Sequence, residues 1–283
     1  MLRVMKSLLL ILSLCSELCF TAFGQTDSII VPAPGQYDAY SFLSLGMGRG
    51  RLRDTYLTNL QYQGSALDVQ YDRRRLLESF WISYQRLDLS LMQGDDCAAG
   101  VSSTLAGRLR YRYAREKCCF RHLSVGPYVG FDAGFNYNLK LANANNPATA
   151  RLAGNVGVSA RAGWSYRIAH ERCGVHLSLQ APLLGCAFVP EYGASYYETF
   201  YLDHTDHDAH FTSLHNQQDL DARLLTDLPV ALVPWFKHYN TRLRLGLAYH
   251  IETMDINHII TRYSTFQFVV GWSWQYSPRN RRP

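Results

Sequence analysis

Long stretches of the chain alternate between apolar and polar positions. From residue 123 to 139 the odd positions are apolar, whereas the even positions are mostly small or polar. Residues 151–168 repeat the pattern, with Leu152, Val156 and Trp164 set against Arg151 and Arg161. Side chains of a strand point alternately to opposite faces, so both segments are predicted to be two-faced strands. They exceed the roughly 3–10 residues of ordinary strands and match strands that cross a bilayer.

The same pattern predicts about ten strands along the chain. They lie at residues 40–48, 65–73, 79–92, 101–114, 122–140, 150–168, 174–188, 222–232, 241–254 and 263–276. Long connections, 49–64 and 189–221, alternate with short ones, as in barrels with short periplasmic turns and long outer loops. The predicted fold is therefore all-β. It is a closed antiparallel transmembrane β-barrel of about ten strands whose long extracellular loop caps the mouth.

Two details of this prediction stay open. If residues 194–202 and 209–215 also pair, the barrel has about twelve strands, because outer-membrane barrels have even strand numbers. In the third strand the alternation changes parity between Tyr84 and Leu87, which suggests a β-bulge.

The polar face of the predicted strands is rich in arginine. A soluble barrel would turn its apolar face inward, but its solvated surface would carry more lysine and glutamate than this face does. Aromatic residues gather near the strand ends, as in the interfacial girdles of membrane barrels. We therefore expect polar side chains to fill a narrow lumen. The predicted lumen residues are Arg108, Arg110, Arg112, Arg151, Arg161, Arg167, Arg242, Arg244, Asp68, Asp72, Asp88, Asp132 and Glu252.

The N-terminus has the features of a secretory signal. Arg3 and Lys6 precede an apolar run that ends near the small residue Gly24, so residues 1–24 are predicted to be removed. Residues 25–283 then form one barrel domain in the cell outer membrane. A hydrophobic content of 47% excludes a disordered chain, and a mean hydropathy of −0.16 argues against a helical membrane bundle. The net charge of +5 reflects the lumen arginines, and no nucleic-acid-binding motif is visible.

The last predicted strand carries a partial assembly signal. Gly271, Trp274 and Tyr276 resemble the pattern by which last strands are presented to the barrel-assembly machinery. Val269 stands where that pattern usually has a polar residue. The expected partners are this machinery and outer-membrane lipid, together with an extracellular ligand that the sequence does not identify.

Four stretches carry distinctive motifs. They are Asn-Ala-Asn-Asn-Pro-Ala-Thr-Ala at 143–150, the segment from Ala181-Pro-Leu-Leu-Gly to 198, His-Phe-Thr-Ser-Leu-His-Asn-Gln at 210–217, and Asp-Thr-Tyr-Leu at 54–57 with Tyr62 and Gly64 downstream. Together they resemble an uncharacterised family of exported outer-membrane β-barrel proteins from anaerobic Gram-negative bacteria. The resemblance implies location and fold, and it assigns no catalytic residues.

Residues 203–210 hold the densest group of potential metal ligands. Asp203, His204, His207 and His210 are ligand types that zinc and similar ions use. However, their spacing fits no established zinc pattern and no cysteine accompanies them. A solvated loop tip is the blander interpretation, and no cofactor is expected.

Asp203 with His204, or Asp206 with His207, could instead imitate half the site of an outer-membrane protease. Asp95 and Asp96, in another predicted outer loop, would supply the facing carboxylates that activate water. Both sets lie on predicted loops rather than on rigid strand ends, which disfavours catalysis.

The long outer loop also holds candidates for ligand binding. These weak candidates are Tyr192, Tyr196, Tyr197, His210, His215 and Asn216, and their alternative role is packing of the loop over the mouth. Five cysteines follow the signal, and a disulfide from Cys118 or Cys119 to Cys173 is compatible with an oxidising compartment.

These observations predict a non-enzymatic surface or envelope protein with a side-chain-filled lumen and a binding-competent outer loop. One alternative is a narrow anion-permeable channel, since rings of arginine attract anions. The other is an outer-membrane hydrolase with an Asp/His site in the long loop.

Overall fold

The computed structural model describes residues 39–77, 81–98, 102–120, 122–139, 148–168, 171–190, 208–230 and 241–276. All regular structure in these ranges consists of strands, apart from turns. The strands are β1 (Ala39–Asp54), β2 (Gln61–Leu76), β3 (Trp81–Asp96), β4 (Ser103–Phe120), β5 (Leu123–Asn138), β6 (Ala148–Ile168), β7 (Glu171–Phe188), β8 (Ala209–Ser213), β9 (Gln217–Pro229), β10 (Arg242–Ile256) and β11 (Ile259–Tyr276).

The strands form one closed antiparallel sheet. Strands β1 to β7 pair in sequence order, and β9 to β11 continue the sheet until β11 pairs with β1. Along the edge that faces away from β6, strand β7 has two partners. Its residues 184–188 pair with β8, and its residues 174–180 pair with β9. Strands β8 and β9 therefore share one position of the barrel. The predicted closed barrel of ten strands is confirmed.

The two faces of the sheet have opposite chemistry. Large apolar side chains point outward, among them Met47, Phe266 and Phe268, each more than half exposed. Inward positions carry arginine, aspartate, glutamine and serine, most of them buried. In a soluble protein this arrangement would be inside out. The alternation seen in the sequence therefore describes a barrel whose apolar face is the outer one.

The third strand corrects one detail of the sequence interpretation. Its pairing with β2 and with β4 is regular throughout, so the suggested bulge between Tyr84 and Leu87 is absent. Tyr84 points into the barrel together with Arg86. Tyr84 suggests a change of parity because, in the sequence alone, its aromatic ring looks like that of a residue on the apolar outer face. Register shifts lie instead in β7, where Leu183 is left out of the pairing with β6, and at the end of β4, where Cys119 is left out of the pairing with β5.

The connections also differ from the prediction. Residues 49–54 and 61–64 belong to strands, so the first loop spans only residues 55–60. Likewise β9 begins at Gln217 rather than at 222. Strand β8 occupies residues 209–213, within the predicted capping loop and within one segment of the twelve-strand alternative, whose other segment, 194–202, lies outside the described residues. These segments resemble loops in sequence because their inward positions carry polar or charged residues. Most of the capping loop, residues 191–207, lies outside the described residues.

No helix among the described residues is long and apolar enough to cross a bilayer. The predicted signal segment, residues 1–24, also falls outside the described ranges.

Candidate functional site

The middle of the barrel is filled by ion pairs that connect opposite walls. Arg86 of β3 lies 2.8 Å from Asp221 of β9, and Arg223 of β9 lies 3.0 Å from Asp88 of β3. Arg223 also contacts Asp221 at 2.9 Å, so the groups form a continuous chain across the lumen. The side chains of these four residues are each at most 4% exposed. We call Arg86, Asp88, Asp221 and Arg223 the central cluster.

Further pairs lie toward the end of the barrel that holds the β1–β2 turn. Arg112 of β4 contacts Asp219 of β9 at 3.0 Å and Asp132 of β5 at 3.3 Å. Arg110 lies 2.6 Å from Nδ1 of His250 on β10. Charged groups from four strands thus meet across the barrel axis.

The other end of the barrel, where β1 begins and β11 ends, contains a second group. Arg244 of β10 contacts Asp72 of β2 at 2.9 Å and Asp227 of β9 at 2.8 Å. Asp72 also contacts Arg86 at 3.0 Å, which joins this group to the central cluster. The Tyr84 hydroxyl donates a short hydrogen bond to Asp72. Asp72 therefore links the central cluster to the charged group at this end of the barrel.

A cavity of about 170 Å³ opens at this end of the barrel. Aromatic side chains line part of its wall, and the Arg244 guanidinium lies 3.3 Å from the centre of the Phe42 ring. The Arg161 guanidinium lies 4.1 Å from the centre of the Tyr84 ring. The described lining holds five arginines (Arg74, Arg86, Arg161, Arg242 and Arg244) against two aspartates (Asp72 and Asp227). The cavity wall is therefore cationic and partly aromatic.

Two polar atoms at this cavity lack hydrogen-bond partners among the described residues. They are Nε of Arg161 and Oγ of Ser178, both buried. Arg161 has one acidic neighbour, Glu116, at 3.7 Å. Two serine hydroxyls also donate to that carboxylate, each at 2.7 Å, so Glu116 is shared. A buried donor without a partner is costly, and a bound anion or water would satisfy it.

The residues predicted for the lumen lie inside the barrel, apart from Arg167, whose side chain lies outside the described part of the structure. Arg108, Arg110, Arg161 and Arg244 are buried, whereas Asp132, Arg242 and Glu252 are partly exposed within it. Sequence reasoning missed Arg86, Asp219, Asp221, Arg223 and Asp227, which carry much of the network. The sequence does carry a signal for these β9 residues. In residues 217–227 every odd position except Leu225 is polar, which is the alternation of a strand.

The candidates for binding or metal coordination in the long loop are only partly described. Tyr192, Tyr196, Tyr197, Asp203, His204 and His207 lie outside the described residues. His210 is placed in β8 opposite Ala187, and not in a loop. Nδ1 of His215 lies 2.5 Å from Oγ of Ser213, and Asn216 accepts a hydrogen bond from the Ser213 amide. His215 and Asn216 thus hold the turn between β8 and β9.

The acidic pair suggested for catalysis has structural roles in the described part of the chain. Asp96 accepts hydrogen bonds from the backbone amides of Ala98 and Ser102, at 3.0 and 2.7 Å. Asp95 accepts one from the Ser103 hydroxyl. Within the described ranges no group of three His, Cys, Asp or Glu side chains could hold a metal ion.

The disulfide that the sequence allowed from Cys118 or Cys119 to Cys173 is not formed. The cysteines at 97, 118, 119, 173 and 186 are free thiols. Cys118 and Cys119 end β4, whereas Cys173 begins β7, and strands β5 and β6 stand between them. These two intervening strands keep the sulfur atoms apart.

A family model described as a protein of unknown function, DUF3316, matches residues 8–277. The chain belongs to the DUF3316 family. This confirms the expected membership of an uncharacterised family. No curated protein matches the sequence significantly.

Solved structures with a similar course of strands are outer-membrane proteins. The outer membrane protease OmpT from Escherichia coli shares 7% identity over 88% of this chain and 100% of its own, with a TM-score of 0.46. The translocator domain of autotransporter NalP from Neisseria meningitidis shares 6% identity over 86% of this chain and 90% of its own, with a TM-score of 0.40. The toluene transporter TodX from P. putida shares 10% identity over 88% of this chain and 92% of its own, with a TM-score of 0.30. At such identities the likeness concerns the fold alone.

Proposed function

We propose that the protein spans the bacterial outer membrane as a non-enzymatic envelope protein that does not conduct ions. The observation that supports insertion is the outer belt of exposed apolar side chains on neighbouring strands. Examples are Leu45 at 39%, Leu89 at 47% and Phe268 at 54% exposure. An apolar surface that encircles a whole barrel would aggregate in water, whereas lipid solvates it. Closure of the sheet also pairs the strand edges that lipid would leave unsatisfied.

The central cluster supports a closed lumen. Arg86 and Arg223 reach across the axis to carboxylates on the opposite wall, and each is 1% exposed. A permeating anion would have to break these pairs and leave buried charges without partners, which costs several kcal/mol. The arginine-lined channel suggested by the sequence is therefore the less favoured alternative.

Conductance in planar bilayers tests this proposal. The mature chain, refolded into a bilayer, is expected to give no channel openings above the leak of the bare membrane. The variant Arg86→Ala/Arg223→Ala removes the two side chains that bridge the lumen and is expected to give measurable openings. A matched control, Arg49→Ala/Arg51→Ala, removes two exposed arginines of β1 and should stay silent. Steady openings of the unmodified barrel would contradict the closed lumen.

The cationic cavity favours a second role, the binding of a small organic anion. Guanidinium groups bind carboxylate or phosphate through paired hydrogen bonds, and Phe42 and Trp164 offer aromatic surface in the same cavity. Phenyl phosphate is a suitable probe because it combines both features. Titration calorimetry with the barrel in detergent is expected to show saturable binding that Arg161→Gln weakens, while Arg49→Gln leaves it unchanged. Binding that is equal in both variants would contradict this role.

The binding role of the outer loop remains a prediction. Deleting residues 191–207 tests it, because this deletion spares β8 and the hydrogen bond from the Val189 amide to the Asp208 carbonyl, at 2.8 Å. A loop that binds a surface ligand should lose that binding on deletion. The hydrolase alternative predicts turnover that vanishes on Asp203→Ala or His204→Ala.

A further inference from the structure

A group of basic side chains lies on the outer face of the barrel, at the end where β1 begins. Arg73 and Arg75 of β2 and Arg115 and Lys117 of β4 all point away from the lumen and are exposed. We call these four residues the basic patch. The outward residues nearer the middle of the barrel are apolar or aromatic, so the charge is concentrated at this end of the outer face.

The sheet register brings the patch together. Arg75 is opposite Ser83 of β3, which is opposite Arg115 of β4. One row toward the middle of the barrel, Arg73 is opposite Gln85, which is opposite Tyr113. The small and polar side chains of β3 leave a groove of about 220 Å³ between the arginines.

The described part of the chain places no acidic partner beside the patch. Within the described ranges none of its four cations forms an ion pair, and Arg115 makes only a hydrogen bond, from Nε to the Tyr113 hydroxyl at 3.1 Å. The nearest acidic side chain of β4, Glu116, points inward to Arg161. Four cations grouped on one part of the outer face attract an anion.

The patch borders directly on the apolar belt. The next row of outward residues consists of Tyr71, Leu87 and Tyr111, of which Leu87 is 43% exposed and Tyr111 42%. On the other side of the patch, Trp81 is opposite Lys117. Aromatic and basic side chains beside an apolar band are typical of the level at which lipid headgroups lie.

We infer that the groove of the basic patch binds the phosphate of an anionic phospholipid whose acyl chains lie along the neighbouring apolar belt. The inference rests on the proposed insertion into a membrane. Arginine forks suit a phosphate group, and the adjoining leucines suit its acyl chains, so a diacyl lipid fits better than a free anion. With the longest connection, residues 189–208, outside, this end faces the periplasm. The lipid then belongs to the periplasmic leaflet.

Site-specific photocrosslinking in vesicles tests the inference. The crosslinking residue p-benzoylphenylalanine replaces Gln85 in the groove or Val129 on the plain apolar belt of β5. The vesicles contain phosphatidylcholine with a minority of phosphatidylglycerol, and mass spectrometry counts the captured lipids. Position 85 is expected to capture phosphatidylglycerol well above its bulk fraction, whereas position 129 captures both lipids in the bulk ratio.

Removal of charge should weaken this preference. Each cation near a membrane surface favours anionic lipid by about fivefold, so Arg73→Gln/Arg115→Gln should reduce the preference by roughly 25-fold, while Arg75 and Lys117 retain the rest. The control Arg49→Gln/Arg51→Gln removes two exposed arginines beyond the other edge of the belt and should leave capture at position 85 unchanged. Arg73→Lys/Arg115→Lys keeps the charge and should keep most of the preference.

The outcomes separate the two proposals. Capture of lipid at position 129 without a preference at position 85 would overturn the lipid site while supporting membrane insertion. Absence of lipid at both positions would overturn insertion itself. Competition by millimolar inorganic phosphate that erases the preference at position 85 would show a site for free anions and would overturn the diacyl lipid.

Discussion

Asp221 is the residue whose loss should damage the barrel interior most. Its carboxylate lies 2.8 Å from Arg86, 2.9 Å from Arg223 and 3.9 Å from Arg110, and it is 3% exposed. Removing one partner of a buried pair typically costs about 3–5 kcal/mol. After Asp221→Asn, Arg86 keeps Asp72 at 3.0 Å and Arg223 keeps Asp88 at 3.0 Å. Because each arginine retains one carboxylate, we expect the lower end of that range, about 3 kcal/mol.

The assay is reversible unfolding in urea of the barrel folded into lipid vesicles, followed by tryptophan fluorescence. Asp255→Asn is the matched control, because Asp255 is exposed on the outer face of β10 and should cost less than about 0.5 kcal/mol. A loss below about 1 kcal/mol for Asp221→Asn, similar to the control, would refute the view that these charges form one buried network.

One further substitution tests packing on the outer face, and one labelling reaction tests which thiols are buried. Gly107→Ala should cost about 1 kcal/mol in the same assay, since an added Cβ would meet the Phe135 ring at 2.0 Å. The cost should vanish in a Phe135→Ala background, and a cost that persists there would rule out this contact. A maleimide should modify the exposed Cys119 rapidly in the folded barrel and spare the buried Cys173 until the barrel unfolds. Equal rates at the two thiols would contradict the burial of Cys173.

Much of this fold follows from the sequence because alternation needs only local information. Residues 123–139 and 151–168 alternate cleanly, and both became strands whose apolar side chains point outward. The prediction erred where inward and outward residues share a type. Tyr84 points inward, and its apolar ring suggested a bulge that the regular pairing of β3 excludes.

The interior network was harder to predict, since its partners are far apart in the chain. Arg86 and Asp221 are separated by 135 positions and meet only because β3 and β9 face each other across the closed barrel. Local patterns show which face a side chain is on, but not what it meets across the lumen. For the same reason the polar segment at 217–221 was assigned to a loop, although it forms the start of β9.

The central claim is that the apolar face meets lipid and the polar face is enclosed. Nitroxide scanning along β11 in vesicles tests it directly, because even positions there are outward and odd ones inward. Phe266 and Phe268 are more than half exposed, whereas Gln267 and Val269 are at most 1% exposed. Labels at 266, 268 and 270 should collide with oxygen dissolved in lipid and not with a water-soluble nickel complex, while labels at 267 and 269 should be shielded from both. Strong collision of the even positions with the nickel complex would contradict the account.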